Sequence, residues 1–109
     1  MHITQAELDD LVTLELTKAR AASNGRSAVA VLKDGRLRHT LLALTAGSLL
    51  SEHPKPESAT LLVLRGSITV RWDGQSATIS HGGLYVLPDA LHDVLAETDS
   101  AFLLTTIAG

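Results

Sequence analysis

Twice in this chain an aspartate–glycine pair separates two runs of alternating residues: Asp34-Gly35 and Asp73-Gly74. Such a pair readily supplies the two positive-φ positions of a two-residue turn whose twist matches the flanking strands, so each pair predicts a β-hairpin. Before the second pair, Ile68, Val70 and Trp72 fall on one face and Thr69 and Arg71 on the other; after it, Ala77 and Ile79 turn inward. Around the first pair lie the runs 27–33 and 36–45. In the latter, Leu37, His39, Leu41, Ala43 and Thr45 share one face, and Arg38, Thr40, Leu42 and Leu44 the other. Both faces are apolar toward the end of that run, which implies burial on both sides.

Further short apolar runs follow at 48–53, 59–65, 84–87, 92–96 and 101–108, punctuated by Gly47, Pro54 and Pro56, Gly66, Gly82-Gly83 and Pro88. The two prolines after His53 forbid the first of these from continuing as a central strand, because proline has no amide to give a ladder. Eight or nine short strands in a stretch of this length predict a closed or double-sheet β structure.

A helical period occurs once, at the start. Thr4 and Glu7 are spaced as a capping box, and Leu8, Leu11, Val12, Leu16 and Ala19 then recur at helical spacing. Glu7, Asp9, Asp10, Glu15 and Lys18 are expected on the solvent side, and Asn24-Gly25 is expected to stop the helix. The prediction is therefore an all-β domain over 1–109, with a helix over about 4–22 and a barrel over about 27–108.

Composition bounds the chemistry. Apolar residues are 45% and aromatics 3% of the 109 residues, so the core is large enough to stand without staples and is aliphatic. The chain has no cysteine, which excludes disulfides, thiolate nucleophiles and zinc–thiolate sites. A net charge of -3 gives no electrostatic footprint for nucleic acid. The first ten residues are acidic and amphipathic rather than basic and apolar, and no apolar run reaches membrane length. A cytoplasmic protein with no nucleic-acid or membrane partner is expected.

Two histidines at strand ends carry the remaining hint of chemistry. His53 precedes the Pro54-Lys55-Pro56-Glu57 loop, and His92 follows Pro88. No phosphate-binding glycine loop, nucleophile elbow or basic–aromatic patch occurs. Ser48, Ser51 and Ser58 lie near His53 in sequence, but nothing there supplies an orienting carboxylate.

From Ala43 to Ala108 the residues resemble the cupins, small jelly-roll β-barrels. Gly47, five residues and His53, with Gly66 closing, match the first cupin motif; Gly82, five residues and Pro88 match the second. His92 falls one residue earlier than the second motif places its histidine. The resemblance implies a cupin-type barrel preceded by one N-terminal helix, with a pocket inside the barrel. In metal-binding cupins two histidines and a glutamate of the first motif and the histidine of the second hold one ion. Carried over, His53 and His92 fill two of those positions, Lys55 takes the second histidine position, and Ala59 the glutamate position, or Thr60 at the longer spacing. A protonated lysine ammonium cannot ligate a metal, although it favours a bound anion or carboxylate.

The expected site is accordingly a ligand pocket formed by His53, His92, Lys55 and Glu57, binding a small molecule. The alternative is an enzyme of oxygenase or isomerase type, in which His53, Glu57 and His92 hold a divalent metal such as Fe, Mn, Ni or Zn. His39 joins them only if its face is the barrel interior; the apolar face it shares makes a satisfied core or interface histidine the expectation. Trp72 and Tyr85 read as packing residues able to line a pocket, and His81 as a solvated turn residue. A homodimer is expected, with the helix and the two-sided runs at Leu41–Leu44 and Leu61–Leu64 as its candidate seam.

Overall fold

The computed structural model describes residues 1–53 and 58–107, with the backbone alone at Glu52 and His53. The capping box forms as its spacing predicts: the Glu7 amide donates to the Thr4 hydroxyl at 3.1 Å, and the Glu7 carboxylate reaches back to the Thr4 amide. Helix α1 spans Gln5–Ala21. It ends at Ala22 in extended backbone, short of Asn24-Gly25, which instead turn the chain into the first strand. There the Asn24 side chain accepts the Arg26 amide at 3.1 Å.

Glu15 departs from the expectation of a solvent-facing carboxylate: it is 1% exposed. Positions 12, 15, 16 and 19 form one stripe at three- and four-residue spacing, and all four are buried. The Ser27 hydroxyl donates to Glu15 Oε1 at 2.6 Å, and Lys18 Nζ lies 3.1 Å from Oε2. The carboxylate is thus carried inward by its helical position and made tolerable there by one hydrogen bond and one ion pair.

Among the described residues nine strands follow: β1 (Arg26–Asp34), β2 (Leu37–Leu44), β3 (Leu49–His53), β4 (Ser58–Arg65), β5 (Ser67–Trp72), β6 (Gln75–Ser80), β7 (Leu84–Val86), β8 (His92–Ala96) and β9 (Ser100–Ile107). They form two antiparallel sheets, one ordered β1-β2-β9-β4-β7 and the other β3-β8-β5-β6. This alternation of strands between two sheets is a double-sheet jelly roll with β1 added at one edge. Both aspartate–glycine pairs close hairpins, β1–β2 and β5–β6; Asp73 and Gly74 take φ values of 45° and 73°.

Alternation assigns every strand two faces. Leu44, Leu61, Val63, Ile68, Val70, Val94 and Phe102 fill the space between the sheets. Leu41, Ala43 and Ala101 point the other way and are covered by Val12, Leu16 and Ala19 of α1. The two-sided apolar run ending β2 is therefore explained within one chain, by a helix on the outer face.

Asp99 ties three segments at one end of the barrel. Its Oδ1 accepts the Ala46 amide at 2.9 Å and its Oδ2 accepts Arg20 Nε at 3.0 Å, joining the β8–β9 turn to the β2–β3 turn and the end of α1. Gly66 belongs to this end: its φ is 80°, and a Cβ there would lie 2.4 Å from the Asp99 carbonyl oxygen. Among the described residues no helix is long and apolar enough to cross a membrane.

Candidate functional site at the histidine end of the barrel

The jelly roll has two ends of different character. At one, Gly47 and Gly82 donate backbone hydrogen bonds to the Ala96 and Val63 carbonyls at 2.8 and 2.7 Å, so these motif glycines are structural. At the other, β3 ends at His53, β5 ends at Trp72 and β8 begins at His92.

His92 is 1% exposed. It shares its face of β8 with Val94 and Ala96, which belong to the core between the sheets, so its imidazole faces the barrel interior. Asp93 points outward instead, where Arg71 Nε and Nη2 donate to its two carboxylate oxygens at 2.7 and 3.0 Å. That bidentate bond, with the Asp93 charge, raises the Arg71 guanidinium above its ordinary value. His92 is thus inward and Asp93 outward, on opposite faces of β8.

The His92 ring is fixed by Ala90, whose carbonyl oxygen lies 3.1 Å from Nδ1. A carbonyl only accepts, so Nδ1 carries the proton, and Nε2 is the ring nitrogen whose role can change with its surroundings. A backbone carbonyl behind one imidazole nitrogen is the support found where the other nitrogen meets a ligand or metal.

His53 stands opposite His92 in the β3–β8 ladder. Lys55 and Glu57 lie outside the described residues, as does the side chain of His53. Of the candidate residues, the structure thus brings the two histidines to adjacent ladder positions.

The glutamate position of the metal-binding pattern does not fit a ligand. Ala59 is buried, packs in the interior cluster with Leu61 and Leu87, and its carbonyl accepts the Leu87 amide at 3.0 Å. Thr60, the position at the longer spacing, falls on the opposite face of β4, paired with Val86 and Thr105. Among the described residues no group of three metal-ligating side chains occurs. His39 is also excluded from the interior: it lies on the helix-side face with Leu41, and its Nδ1 is 3.0 Å from the Thr105 hydroxyl.

Two aromatics complete this end. Extending the β5–β8 register by one pair beyond Arg71↔Asp93 brings Trp72 opposite His92. Trp72 packs against Tyr85 of β7 across the gap between the sheets, with ring centroids 6.4 Å apart and planes tilted by 48°. Burial pushes the Tyr85 phenol above its ordinary value. By sequence both read first as packing residues. Their shared interior parity near opposite strand ends was the available signal, but pairing them required the sheet order. Leu61, Val70, Val94 and Phe102 fill the interior and are buried.

Comparison with known proteins defines the class of fold. No protein-family model matches the chain, and no curated protein sequence matches it. Solved structures do. A cupin superfamily protein from Desulfitobacterium hafniense superposes with a TM-score of 0.72 at 18% identity, over 81% of this chain and 82% of that one. A conserved protein of unknown function from Streptococcus pyogenes gives 0.70 at 19% identity, over 81% and 78%. Salicylate 1,2-dioxygenase from Pseudoaminobacter salicylatoxidans, solved as a variant in complex with gentisate, gives 0.77 at 17% identity, over 90% of this chain but 32% of its own. The fold is the cupin jelly roll with one N-terminal helix; this chain corresponds to about a third of the dioxygenase.

Proposed function

We propose that the chain is a small-molecule-binding cupin-fold protein whose ligand lies in the mouth of the barrel beside His92. The observation that carries this reading is the buried, inward-facing imidazole of His92, oriented by the Ala90 carbonyl. An oriented histidine beside two aromatics is a recognition surface: a few placed polar groups on an otherwise apolar wall. Lys55, two residues after His53, adds a cation to this loop and favours an acidic ligand. The ligand class is therefore a small organic acid, its carboxylate directed to His92 and its apolar body against Trp72 and Tyr85. The dioxygenase of the same fold was solved in complex with gentisate, an aromatic acid.

Trp72 is the chain's single tryptophan, which makes the test direct. Titration with benzoate in the presence of a chelator is expected to change its fluorescence saturably, and His92→Ala is expected to abolish the change. No saturable response to benzoate or to a panel of aliphatic and aromatic acids would overturn the reading.

The second reading is a metal-dependent cupin enzyme of oxygenase or isomerase type, with His53, Glu57 and His92 holding a divalent ion. The ladder pairing of His53 with His92 favours it. Metal content of protein purified without chelators, compared with His53→Ala/His92→Ala, separates the two: bound stoichiometric metal lost in the variant supports the enzyme.

A further inference from the structure

The two sheets are unequal. The five-stranded sheet carries β1 at one edge, and the four-stranded sheet that faces it ends at β3. The inner side of β1 therefore overhangs, with no strand opposite it. The sequence of β1 differs between its two sides. Val29 and Val31 pack against the cluster beneath α1, whereas Ala28 and Ala30 alternate with them on the inner side and are exposed. Alanines there leave space that larger side chains would fill. Between the overhang and β3 lies a slot of about 320 Å³, lined by Arg26, Ser27, Ala28, Leu42, Leu44 and Leu50. Its floor is apolar: Leu44 belongs to the cluster between the sheets, and Leu42 and Leu50 pack against it. The Ser27 hydroxyl is turned away, toward Glu15.

One end of the slot is cationic. Arg26 stands opposite Leu44 in the β1–β2 ladder, hence on the inner side, and is half-buried. Among the described residues no carboxylate pairs with its guanidinium. The ion pairs there belong to Lys18, Arg20 and Arg71, and Arg26 bonds to Asn24 only through its backbone amide.

We propose that this slot is a second ligand site, separate from the mouth of the barrel, and that it takes an aliphatic monocarboxylic acid. A guanidinium offers a planar fork of donors that matches a carboxylate, and a half-buried one without an anion favours such a group. The rest of the slot offers no side-chain hydrogen bond, so the body of the ligand has to be apolar and free of polar substituents. The carboxylate lies at Arg26, and the chain runs over Ala28 against Leu42, Leu44 and Leu50. The volume falls at the lower end of the roughly 300–1,000 Å³ of small-molecule sites, which suits a slender body.

Octanoate and octanol share one body with and without the charge, and they test the proposal on the parent chain with labelled leucine methyls. Octanoate is expected to shift the methyl resonances of Leu42, Leu44 and Leu50 saturably, and octanol to bind about tenfold more weakly. Arg26→Gln is expected to remove that difference. Ala28→Leu, which fills the slot from an exposed position, is expected to abolish both responses. His92→Ala is expected to leave them unchanged, so this site and the one at the mouth fail separately. Should a variant fail to fold, the comparison of the two ligands on the parent chain decides. Equal affinity for octanoate and octanol would mean that Arg26 only covers the leucines with its own methylene stem, and would overturn the proposal. Unmoved leucine methyls, or octanoate shifts confined to His92 and Trp72, would overturn it as well.

Discussion

His53 stands opposite His92 in the β3–β8 ladder because the register slips by one residue between Leu50↔Val94 and this pair. Without the slip, Glu52 would occupy the position facing His92. One inserted residue in a strand re-aims the residues beyond it, and such irregularities recur beside functional sites. The slip is thus what sets the two histidines opposite each other in the ladder.

The absence of a carboxylate at Ala59 yields the first prediction. Ala59→Glu places a carboxylate among Leu61, Leu87 and the rest of the interior cluster. Its burial without a partner is expected to destabilise the fold by about 2–4 kcal/mol in denaturant unfolding. If Ala59 faced a prepared metal site instead, added divalent metal would restore that loss; the account predicts no such rescue.

Glu15 and Ser27 are expected to be coupled. Removing the carboxylate in Glu15→Ala, or the hydroxyl in Ser27→Ala, breaks a 2.6 Å hydrogen bond to a buried charge and is expected to cost about 1.5–3 kcal/mol each. Glu15→Gln keeps an acceptor for Ser27 and is expected to cost less than Glu15→Ala. A double-mutant cycle is expected to give a coupling above about 0.5 kcal/mol; additive losses would contradict the pairing.

Asp99 gives the fold a pH dependence. The Ala46 amide first, and then Arg20, hold its carboxyl below the usual range. A carboxylate with a depressed folded-state pKa contributes stability above its unfolded pKa, and that contribution is lost as pH falls through the folded value. Half-exposure and solvent screening limit the effect, so Asp99→Asn is expected to cost about 1 kcal/mol at neutral pH. The parent and variant stability curves are expected to converge in acid, and a difference that persists undiminished at low pH would contradict this role.

Gly66 is fixed by both backbone and space. Its φ of 80° and the 2.4 Å approach of a built Cβ to the Asp99 carbonyl oxygen leave no room for alanine. Gly66→Ala is expected to destabilise by about 2–3 kcal/mol, measured by thermal or denaturant unfolding.

Much of the fold was legible because its signals are local. Asp34-Gly35 and Asp73-Gly74 state their hairpins in two residues, and Thr4 and Glu7 state the helix start in four. The cupin framework was legible in Gly47, His53, Gly66, Gly82 and Pro88, and these do sit at turns and strand ends. Glu15 was misplaced because its charge outweighed its position, although 12, 15, 16 and 19 spell a single buried stripe. The interior direction of His92 was not readable from motif spacing, since the face a strand residue takes is set by the register of β8 against its neighbours. The Trp72–Tyr85 contact depends on which sheet holds β5 and which holds β7, a property of topology rather than of any segment. Lys55 and Glu57 fall outside the described residues, so their part in the site rests on sequence alone.

The most direct test of the central claim is a long-range proton–nitrogen correlation spectrum of the histidine side chains, recorded while benzoate and then manganese are added. The account predicts that His92 shows a protonated Nδ1, that its Nε2 resonance shifts saturably with benzoate, and that stoichiometric manganese leaves it sharp. An Nε2 resonance indifferent to benzoate but broadened away by stoichiometric manganese would contradict the account and make this end of the barrel a metal centre.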